Sequence, residues 1–233
     1  MNRILFDTRE TGYRLTPRDP RLKHARGVLR VRPGDVIDIG VVNGPAGRGT
    51  VTKVSRDGVD LDAEWTKLPP PPPDIRLLVG MPRPQTARKI LFEATTLGVR
   101  AIHFVASRKS DPAYARSTLW SSGEWRAHLI RGAEQAFDTR IPEVTHGNAL
   151  HEIVATLPAD APRLALDVYE GTAPLREARP VPPLVLAIGP ERGWSAADRD
   201  TLRTAGFQLV HLGPRVLRVE TAVVAALVLA SPA

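Results

Sequence analysis

The spacing of hydrophobic positions changes along the chain and divides it into two parts. Over the first 65 or so residues, short segments alternate apolar and polar side chains, as in "VIDIG" (36–40). The segment 50–65, "TVTKVSRDGVDLDAEW", continues the alternation on both sides of Asp57-Gly58. Alternation with a period of two, broken by such a turn, is typical of a β-hairpin. This part is therefore predicted to be a small β-barrel or sandwich.

Beyond residue 74, continuous apolar runs alternate with segments of helical periodicity. The apolar runs predict buried strands at 75–80, 101–107, 163–168, 184–189 and 207–213, with another short strand near Val144. Helices are predicted at 85–98, around 117–137, at 195–206 and at 222–230. The third helix carries a serine at its start and a glycine at its end, which are its capping signals. Strands alternating with helices predict an α/β fold with a parallel sheet.

Five consecutive prolines, Pro69–Pro73, separate the two parts. A run of this kind forms neither a helix nor a central strand and behaves as a stiff, extended spacer. The predicted domains are accordingly residues 1–68 and residues 74–233.

Composition and charge narrow the class of protein. The chain has 233 residues, a net charge of +7 and no cysteine, which excludes disulfides, thiolate catalysis and cysteine-ligated metals. We expect no metal site, because the six histidines are scattered. The first residues do not resemble a secretory leader, and the longest apolar run is too short to span a bilayer. A soluble, cytoplasmic protein without membrane contact is therefore expected.

Basic residues cluster between Tyr13 and Pro33, where seven lysines and arginines are opposed only by Asp19. An arginine-rich composition is one explanation of the overall charge. A local cluster also suits a phosphate backbone, which gains affinity through counterion release. Arg26, Arg30 and Arg32 are therefore candidate RNA-binding residues.

The usual nucleotide, metalloprotease and hydrolase motifs are missing from the sequence. Instead, two of the last predicted strands each end in Gly-Pro, followed by charged residues and then a helix. Ligands of open α/β sheets bind at the carboxyl ends of strands, so both turns are candidate site segments. The alternative is two ordinary tight turns.

These two turns carry a family resemblance. The segments "IGPERGWSAAD" (188–198) and "LGPRVLRVETA" (212–222) resemble the signature of the ribosomal small-subunit methyltransferase E family. The resemblance extends to "HARGVLRVRPGD" (24–35) and "EQAFDTRIPEV" (134–144). Members of that family are rRNA uridine-N3 methyltransferases of the SPOUT superfamily.

The resemblance implies a fold, a cofactor and partners. It implies an N-terminal PUA-like β-barrel that binds RNA and a C-terminal trefoil-knotted α/β methyltransferase domain that forms a homodimer. S-Adenosylmethionine is the implied cofactor, and rRNA of the small subunit or of an assembly intermediate is the implied substrate. The implied cofactor-binding residues are Leu166, Ile188, Gly189, Pro190, Glu191, Gly193, Leu212, Gly213, Leu217, Thr221 and Ala222.

The resemblance also implies roles for the charged residues near the last helix. Arg218, Arg215 and Glu220 are the catalytic candidates. The two arginines are expected to face RNA or the methionine carboxylate, and Glu220 to pair with an arginine. Thr221 is expected to cap the helix, and Arg83 to contact RNA. Residues 222–229 are expected to be buried against the sheet and a partner subunit.

Four positions depart from the family pattern: Arg192 stands in place of a glycine, Asp138 in place of an arginine, Glu93 in place of a lysine and Thr96 in place of a glutamate. Because they leave most of the cofactor motifs intact, they affect the expected RNA target more than methyl transfer. Two alternatives stay open: a SPOUT enzyme acting on a different nucleotide, and a non-catalytic rRNA-binding relic.

Overall fold

The computed structural model describes residues 3–231, which form two compact units. One unit extends to Pro71 and includes Ala133–Ile141; the other contains Pro72–Gly132 and the chain from Pro142 onward. The division near residue 71 falls within the proline run. The segment 133–141, which the predicted boundaries assigned to the second domain, groups with the first unit instead.

Contacts of Thr139 explain this return to the first unit. The buried Thr139 accepts a hydrogen bond from the Asn43 amide at its backbone oxygen (2.7 Å) and donates from its hydroxyl to the Gly44 carbonyl (2.6 Å). A Cβ on Gly40 would lie 2.6 Å from the Thr139 methyl, so Gly40 must be a glycine for this segment to pack.

The first unit contains one sheet of five strands in the order β1-β3-β4-β5-β2. The strands are β1 (Ile4–Phe6), β2 (Gly12–Leu15), β3 (Val36–Val41), β4 (Ala46–Ser55) and β5 (Gly58–Trp65). The β4–β5 hairpin is as predicted, with Ser55 opposite Gly58. Within the described residues no pairing joins β1 to β2, so the sheet is an open half-barrel, where a small barrel or sandwich was expected. A short helix, α1 (Pro20–His24), continues into a π-helical turn at Ala25–Leu29.

The second unit contains a seven-stranded sheet in the order β10-β12-β9-β11-β6-β7-β8. All of its strand pairs are parallel, which confirms the α/β prediction. The strands are β6 (Ile75–Gly80), β7 (Ala101–Ala106), β8 (Glu143–Ala149), β9 (Arg163–Leu166), β10 (Ala173–Pro174), β11 (Leu184–Ile188) and β12 (Gln208–His211). Apolar runs predicted β6, β7, β9, β11 and β12, because a parallel sheet covered by helices buries both of its faces. The short strand predicted near Val144 is β8, which is largely exposed, and the two-residue β10 was not predicted.

Six α-helices follow the proline run within the described residues. They are α2 (Pro84–Thr96), α3 (Thr118–Ser121), α4 (Glu124–Gln135), α5 (Leu150–Thr156), α6 (Ala196–Thr204) and α7 (Val219–Ala230). The helical stretch predicted around 117–137 is present but divided: Gly123, at φ +75°, separates α3 from α4. Within residues 3–231, no helix is long and apolar enough to cross a membrane.

The last helix, α7, buries only one of its apolar sides within the second unit. Val219, Val223, Ala226, Leu227 and Ala230 are buried, and α7 packs on α2 and β11. On the other side, Val228 and Leu229 are 57% and 46% exposed. The expectation that residues 222–229 would be buried therefore holds within this unit for one face only.

Candidate functional site

A cavity of about 670 Å³ lies in the second unit at the carboxyl ends of three neighbouring strands, β9, β11 and β12. Four segments line it: the start of α2, and the turns that follow β9, β11 and β12. The lining comprises Arg83, Gln85, Thr86, Lys89, residues 166–169, residues 188–194, residues 211–213, residues 215–220 and Ala222. Its size and position are those of a ligand site in an α/β protein.

The turn after β11 is closely packed. The Gly193 amide donates to the Pro190 carbonyl (2.7 Å), which closes the turn. A Cβ on Gly189 would lie 3.0 Å from the Gly193 Cα, and one on Gly80 of β6 only 2.4 Å from the Pro190 ring. Both glycines are needed for backbone segments to approach this closely. This turn forms a fixed wall of the cavity.

The start of α6 is fully capped, as its sequence predicted. The Ser195 hydroxyl accepts from the Asp198 amide (3.1 Å), and the Asp198 carboxylate accepts from the Ser195 amide (3.0 Å) and hydroxyl (2.7 Å). Glu191, in the turn itself, accepts a hydrogen bond from the Arg83 amide at the start of α2 (3.0 Å). These carboxylates are thus bonded to the protein itself.

The turn after β12 is open, whereas the turn after β11 is closely packed. Gly213 has φ +112°, a conformation that side chains with a Cβ rarely adopt, and its amide donates to His211 Nδ1 (3.0 Å). A Cβ at Gly213 would find no protein atom within 4 Å. The turn therefore leaves open space beside its backbone.

The structure at the start of α7 contradicts two expectations from the sequence. Its N-cap residue is Arg218, without a side-chain cap, whereas Thr221 lies inside the helix, is exposed and does not line the cavity. Glu220 pairs with Lys89 of α2 (Nζ–Oε1 2.9 Å) and not with an arginine. The hydrogen bond from Lys89 lowers the pKa of the Glu220 carboxyl. Sequence analysis missed Lys89, which is distant in the chain and belongs to no motif.

A buried ion pair supports the turn after β9. Arg199 of α6 donates from Nε (2.6 Å) and Nη2 (3.3 Å) to the two carboxylate oxygens of Asp167, and both residues are less than a tenth exposed. Burial raises the pKa of the Asp167 carboxyl, but the hydrogen bonds from Arg199 and from two backbone amides outweigh it and lower that pKa. Sequence analysis missed this pair, because Asp167 lay within the predicted strand 163–168, whereas the observed strand ends at Leu166.

The acidic and basic side chains that line the cavity differ in whether they have a protein partner. All three lining carboxylates, Asp167, Glu191 and Glu220, are bonded to protein groups. In contrast, no acidic partner lies within ion-pair distance of four lining arginines in the described part of the chain; these are Arg83, Arg192, Arg215 and Arg218. The cavity therefore presents uncompensated positive charge, which suits an anionic ligand.

The predicted site residues of the second unit converge on this cavity. Apart from Thr221, all of them line it: Leu166, Ile188, Gly189, Pro190, Glu191, Gly193, Leu212, Gly213, Arg215, Leu217, Arg218, Glu220, Ala222 and Arg83. Of the four departures from the family pattern, only Arg192 belongs to the lining, and its carbonyl accepts from Lys109 Nζ (3.1 Å). Asp138 bonds to the Thr139 and Arg140 amides, and Thr96 to the Phe92 carbonyl. Within residues 3–231, no group of three potential metal ligands is found.

The basic cluster of the first unit is partly engaged within that unit. Arg26 donates from Nη2 to the carbonyls of Ser55, Arg56 (3.2 Å) and Gly58 (3.3 Å), so part of its guanidinium contacts the β4–β5 turn. Arg30 and Arg32 are exposed. All three arginines stay candidates for RNA binding, and Arg30 and Arg32 are the more accessible.

Comparisons of the sequence with known proteins agree with one another. Residues 69–231 match the model of a family described as RNA methyltransferase domain. The ribosomal RNA small subunit methyltransferase E of Treponema pallidum is 32% identical, over 97% of this chain and 89% of its own length. The protein of the same name from Aquifex aeolicus is 29% identical, over 95% of each chain.

Comparisons of the fold lead to the same group. The ribosomal RNA small subunit methyltransferase E of Neisseria gonorrhoeae, solved bound to S-adenosylmethionine, has a TM-score of 0.79 and 25% identity, with 98% of this chain and 95% of that chain covered. A Legionella pneumophila protein, solved in complex with the same cofactor, has a TM-score of 0.78 and 23% identity, with 97% and 96% covered. The second likeness is one of fold alone.

Proposed function

The chain belongs to the ribosomal RNA small subunit methyltransferase E family, and from this premise we propose that it methylates N3 of a uridine in small-subunit (16S) rRNA. S-Adenosylmethionine is the methyl donor. The proposal places the reaction in the cytoplasm, on rRNA of the small subunit or of an assembly intermediate. The observation that carries it is the cavity beside the two Gly-Pro turns, where, among residues 3–231, every lining carboxylate is bonded to protein groups and four lining arginines have no acidic partner.

The residues of the cavity fit this cofactor. The backbone at Ile188–Gly189 and Leu212–Gly213 would hold the adenosine, because Gly213 leaves open space and Gly189 fixes the facing wall. Leu217 and Ala222 would pack beside it, and one of the free arginines would meet the methionine carboxylate. The bound cofactor supplies an electrophilic methyl group on its sulfonium sulfur.

The protein contributes positioning and charge to the reaction. Uridine N3 becomes a nucleophile when it loses its proton, which places negative charge on the neighbouring base oxygens. Arg218, at the cavity wall and without an acidic partner, would donate to such an oxygen and stabilise that charge. Arg215 would assist or hold the methionine carboxylate. The target base must be unstacked to enter, as in other base-modifying enzymes.

The first unit would dock the RNA as a PUA-like domain. Arg30 and Arg32 are exposed, and their contacts would be to phosphates, because they belong to a cluster in which seven lysines and arginines are opposed only by Asp19. Arg83, at the cavity, would contact RNA close to the target base.

We also propose that the second unit is trefoil-knotted and forms a homodimer through α7. The exposed apolar residues Val228 and Leu229 support the dimer, because an unpaired apolar face favours association. Val228→Asp should give a monomer by light scattering, whereas Leu227→Asp should unfold the protein because Leu227 is buried. A wild-type protein that is monomeric at micromolar concentration would contradict the dimer.

The test of the proposed function is methyl transfer with purified components. The protein should bind S-adenosylmethionine in calorimetry and convert uridine to N3-methyluridine in small-subunit rRNA, as read by mass spectrometry of nucleosides. Absence of cofactor binding would favour a non-catalytic relic. Methylation of a different base or of a ribose would favour the alternative SPOUT activity.

A further inference from the structure

Tyr169 is an exposed aromatic residue at the edge of the cavity. It lines the cavity and is 75% exposed, the largest exposure among the exposed large hydrophobic side chains of the described residues. Trp194, which also lines the cavity, is fully buried. Tyr169 is not isolated, because Val216 and Leu217 of the same cavity are exposed as well, and an exposed apolar patch at a cavity marks a binding surface.

The backbone of Tyr169 is held firmly. Its amide donates to Asp167 Oδ1 (2.8 Å), and so does the Glu170 amide (2.9 Å). The Gly171 amide donates to the Asp167 carbonyl (3.1 Å), and a Cβ on Gly171 would lie 2.5 Å from that oxygen, so the turn is tightly closed. Because Asp167 is itself fixed by Arg199, the turn presents Tyr169 at little further entropic cost on binding.

The surroundings of Tyr169 indicate the chemistry of its ligand. The Arg199 guanidinium carbon lies 5.9 Å from the ring centroid, a cation–π distance that holds the ring while most of it stays accessible. Val216 and Leu217, exposed by 74% and 39%, line the same cavity. The arginines of the cavity supply positive charge. An apolar aromatic surface next to unpaired arginines suits a planar base attached to a phosphate backbone.

We propose that Tyr169 is the stacking platform for the unpaired target base of the RNA. This assignment rests on the proposed function. Unstacking a base costs a few kcal/mol, and stacking it on an aromatic side chain recovers a comparable amount. The exposure of Tyr169 favours the entering base over the adenine of the cofactor, which the backbone at Ile188–Gly189 and Leu212–Gly213 would hold. Tyr169 thus binds the substrate, while Arg218 acts on its developing charge.

The test compares Tyr169→Ala, Tyr169→Leu and Tyr169→Phe, with Val181→Ala as a matched control. Val181 is 63% exposed and does not line the cavity. Methyl transfer to small-subunit rRNA is measured at saturating S-adenosylmethionine, and the cofactor affinity of each variant is measured by calorimetry. Tyr169→Ala and Tyr169→Leu should lower kcat/KM for RNA by roughly tenfold or more, chiefly through KM. Tyr169→Phe and Val181→Ala should behave as wild type, and cofactor affinity should not change.

Three results would overturn the assignment. Unchanged kcat/KM in Tyr169→Ala would show that the ring does not contact the substrate. A loss of cofactor affinity that matches the loss of kcat/KM would place the ring on the cofactor. Wild-type behaviour of Tyr169→Leu would show that apolar bulk suffices without an aromatic ring. A wild-type protein that methylates no rRNA would instead contradict the proposed function, so the two failures are distinguishable.

Discussion

The two Gly-Pro turns of the second unit have the same sequence pattern and different structures. After β11, Gly189 is packed against Gly193, α6 is capped by Ser195 and Asp198, and Glu191 bonds to the start of α2. After β12, Gly213 adjoins open space and α7 begins without a side-chain cap. The first turn is packed against neighbouring backbone and its carboxylate, Glu191, is bonded to the protein, although Arg192 has no acidic partner among the described residues. The second turn is open and leaves both Arg215 and Arg218 without an acidic partner in the same part of the chain.

The two turns therefore line the cavity in different ways. Both contain an arginine without an acidic partner among residues 3–231, so charge alone does not distinguish them. Packing does, because the closed turn after β11 forms a fixed wall, whereas the turn after β12 leaves space that a ligand can fill. Changes on the β11 side should therefore reduce stability first, and changes on the β12 side should reduce activity first.

The largest expected effect is a loss of stability on the β11 side, in the helix α6 that follows the first turn. Arg199→Ala would leave the Asp167 carboxylate buried without its partner, so the free energy of unfolding should fall by about 3–5 kcal/mol. Chemical denaturation measures this. The control is Arg203→Ala, whose pair with Glu170 is exposed and should contribute little to stability. Equal losses in the two variants would contradict the importance of burial.

The same variant should have a distinctive pH dependence. In the wild type the pKa of Asp167 is lowered, so the pair stabilises the fold above the ordinary pKa of aspartate, and this contribution is lost as pH falls towards the folded pKa. Without Arg199, burial would raise that pKa, and protonation would relieve the buried charge. The stability difference between variant and wild type should therefore shrink as pH falls from about 7 to about 4. A pH-independent difference would contradict this.

The next effect is on activity. Arg218→Ala should lower turnover by ~100-fold, the size expected for one lost donor to a developing negative charge. Stability should fall by less than in Arg199→Ala, because Glu220 keeps its hydrogen-bonded partner Lys89 and loses only a longer-range attraction to Arg218. Arg218→Lys should restore turnover only in part, because lysine lacks the planar fork. Wild-type turnover of folded Arg218→Ala at saturating cofactor and RNA would refute the catalytic role.

A smaller effect is expected at the open glycine. Gly213→Val places a side chain in the space proposed for adenosine and should weaken S-adenosylmethionine binding by at least ~10-fold, about 1.4 kcal/mol. The matched control is Gly206→Val after α6, which has φ +81°, equally open surroundings and no contact with the cavity. Both variants lose stability through backbone strain, but only the first should lose cofactor affinity. Equal affinities would remove Gly213 from the site.

The smallest effect concerns RNA docking by the first unit. Replacing Arg30 and Arg32 by alanine should weaken rRNA binding and reduce the slope of log affinity against log salt by roughly 1 for each phosphate that is no longer neutralised. Arg26→Ala should instead reduce stability, because its guanidinium bonds to three backbone carbonyls. An unchanged salt slope in the double variant would contradict the phosphate role.

Local patterns made much of the second unit predictable. The apolar runs marked its buried strands, and Ser195 with Asp198 marked the start of α6, because strand burial and helix capping depend on residues close in sequence. The two turns were found as candidate site segments for the same reason. Their family signature added which of their residues to expect at the cavity.

Interactions between distant residues were not predictable in this way. Lys89 and Glu220 are 131 residues apart, and neither position carries a local sign of the other. The return of residues 133–141 to the first unit depends on Thr139 meeting Asn43 and Gly44. The open edge between β1 and β2 likewise depends on tertiary pairing, which alternation along a strand does not specify.

The most direct test of the central claim is the rRNA of a strain that lacks this protein. Mass spectrometry of small-subunit rRNA nucleosides should show the loss of one N3-methyluridine in the deletion strain. Wild-type protein should restore the modification, and Arg218→Ala should restore little of it. An unchanged set of modified nucleosides in the deletion strain would contradict the account.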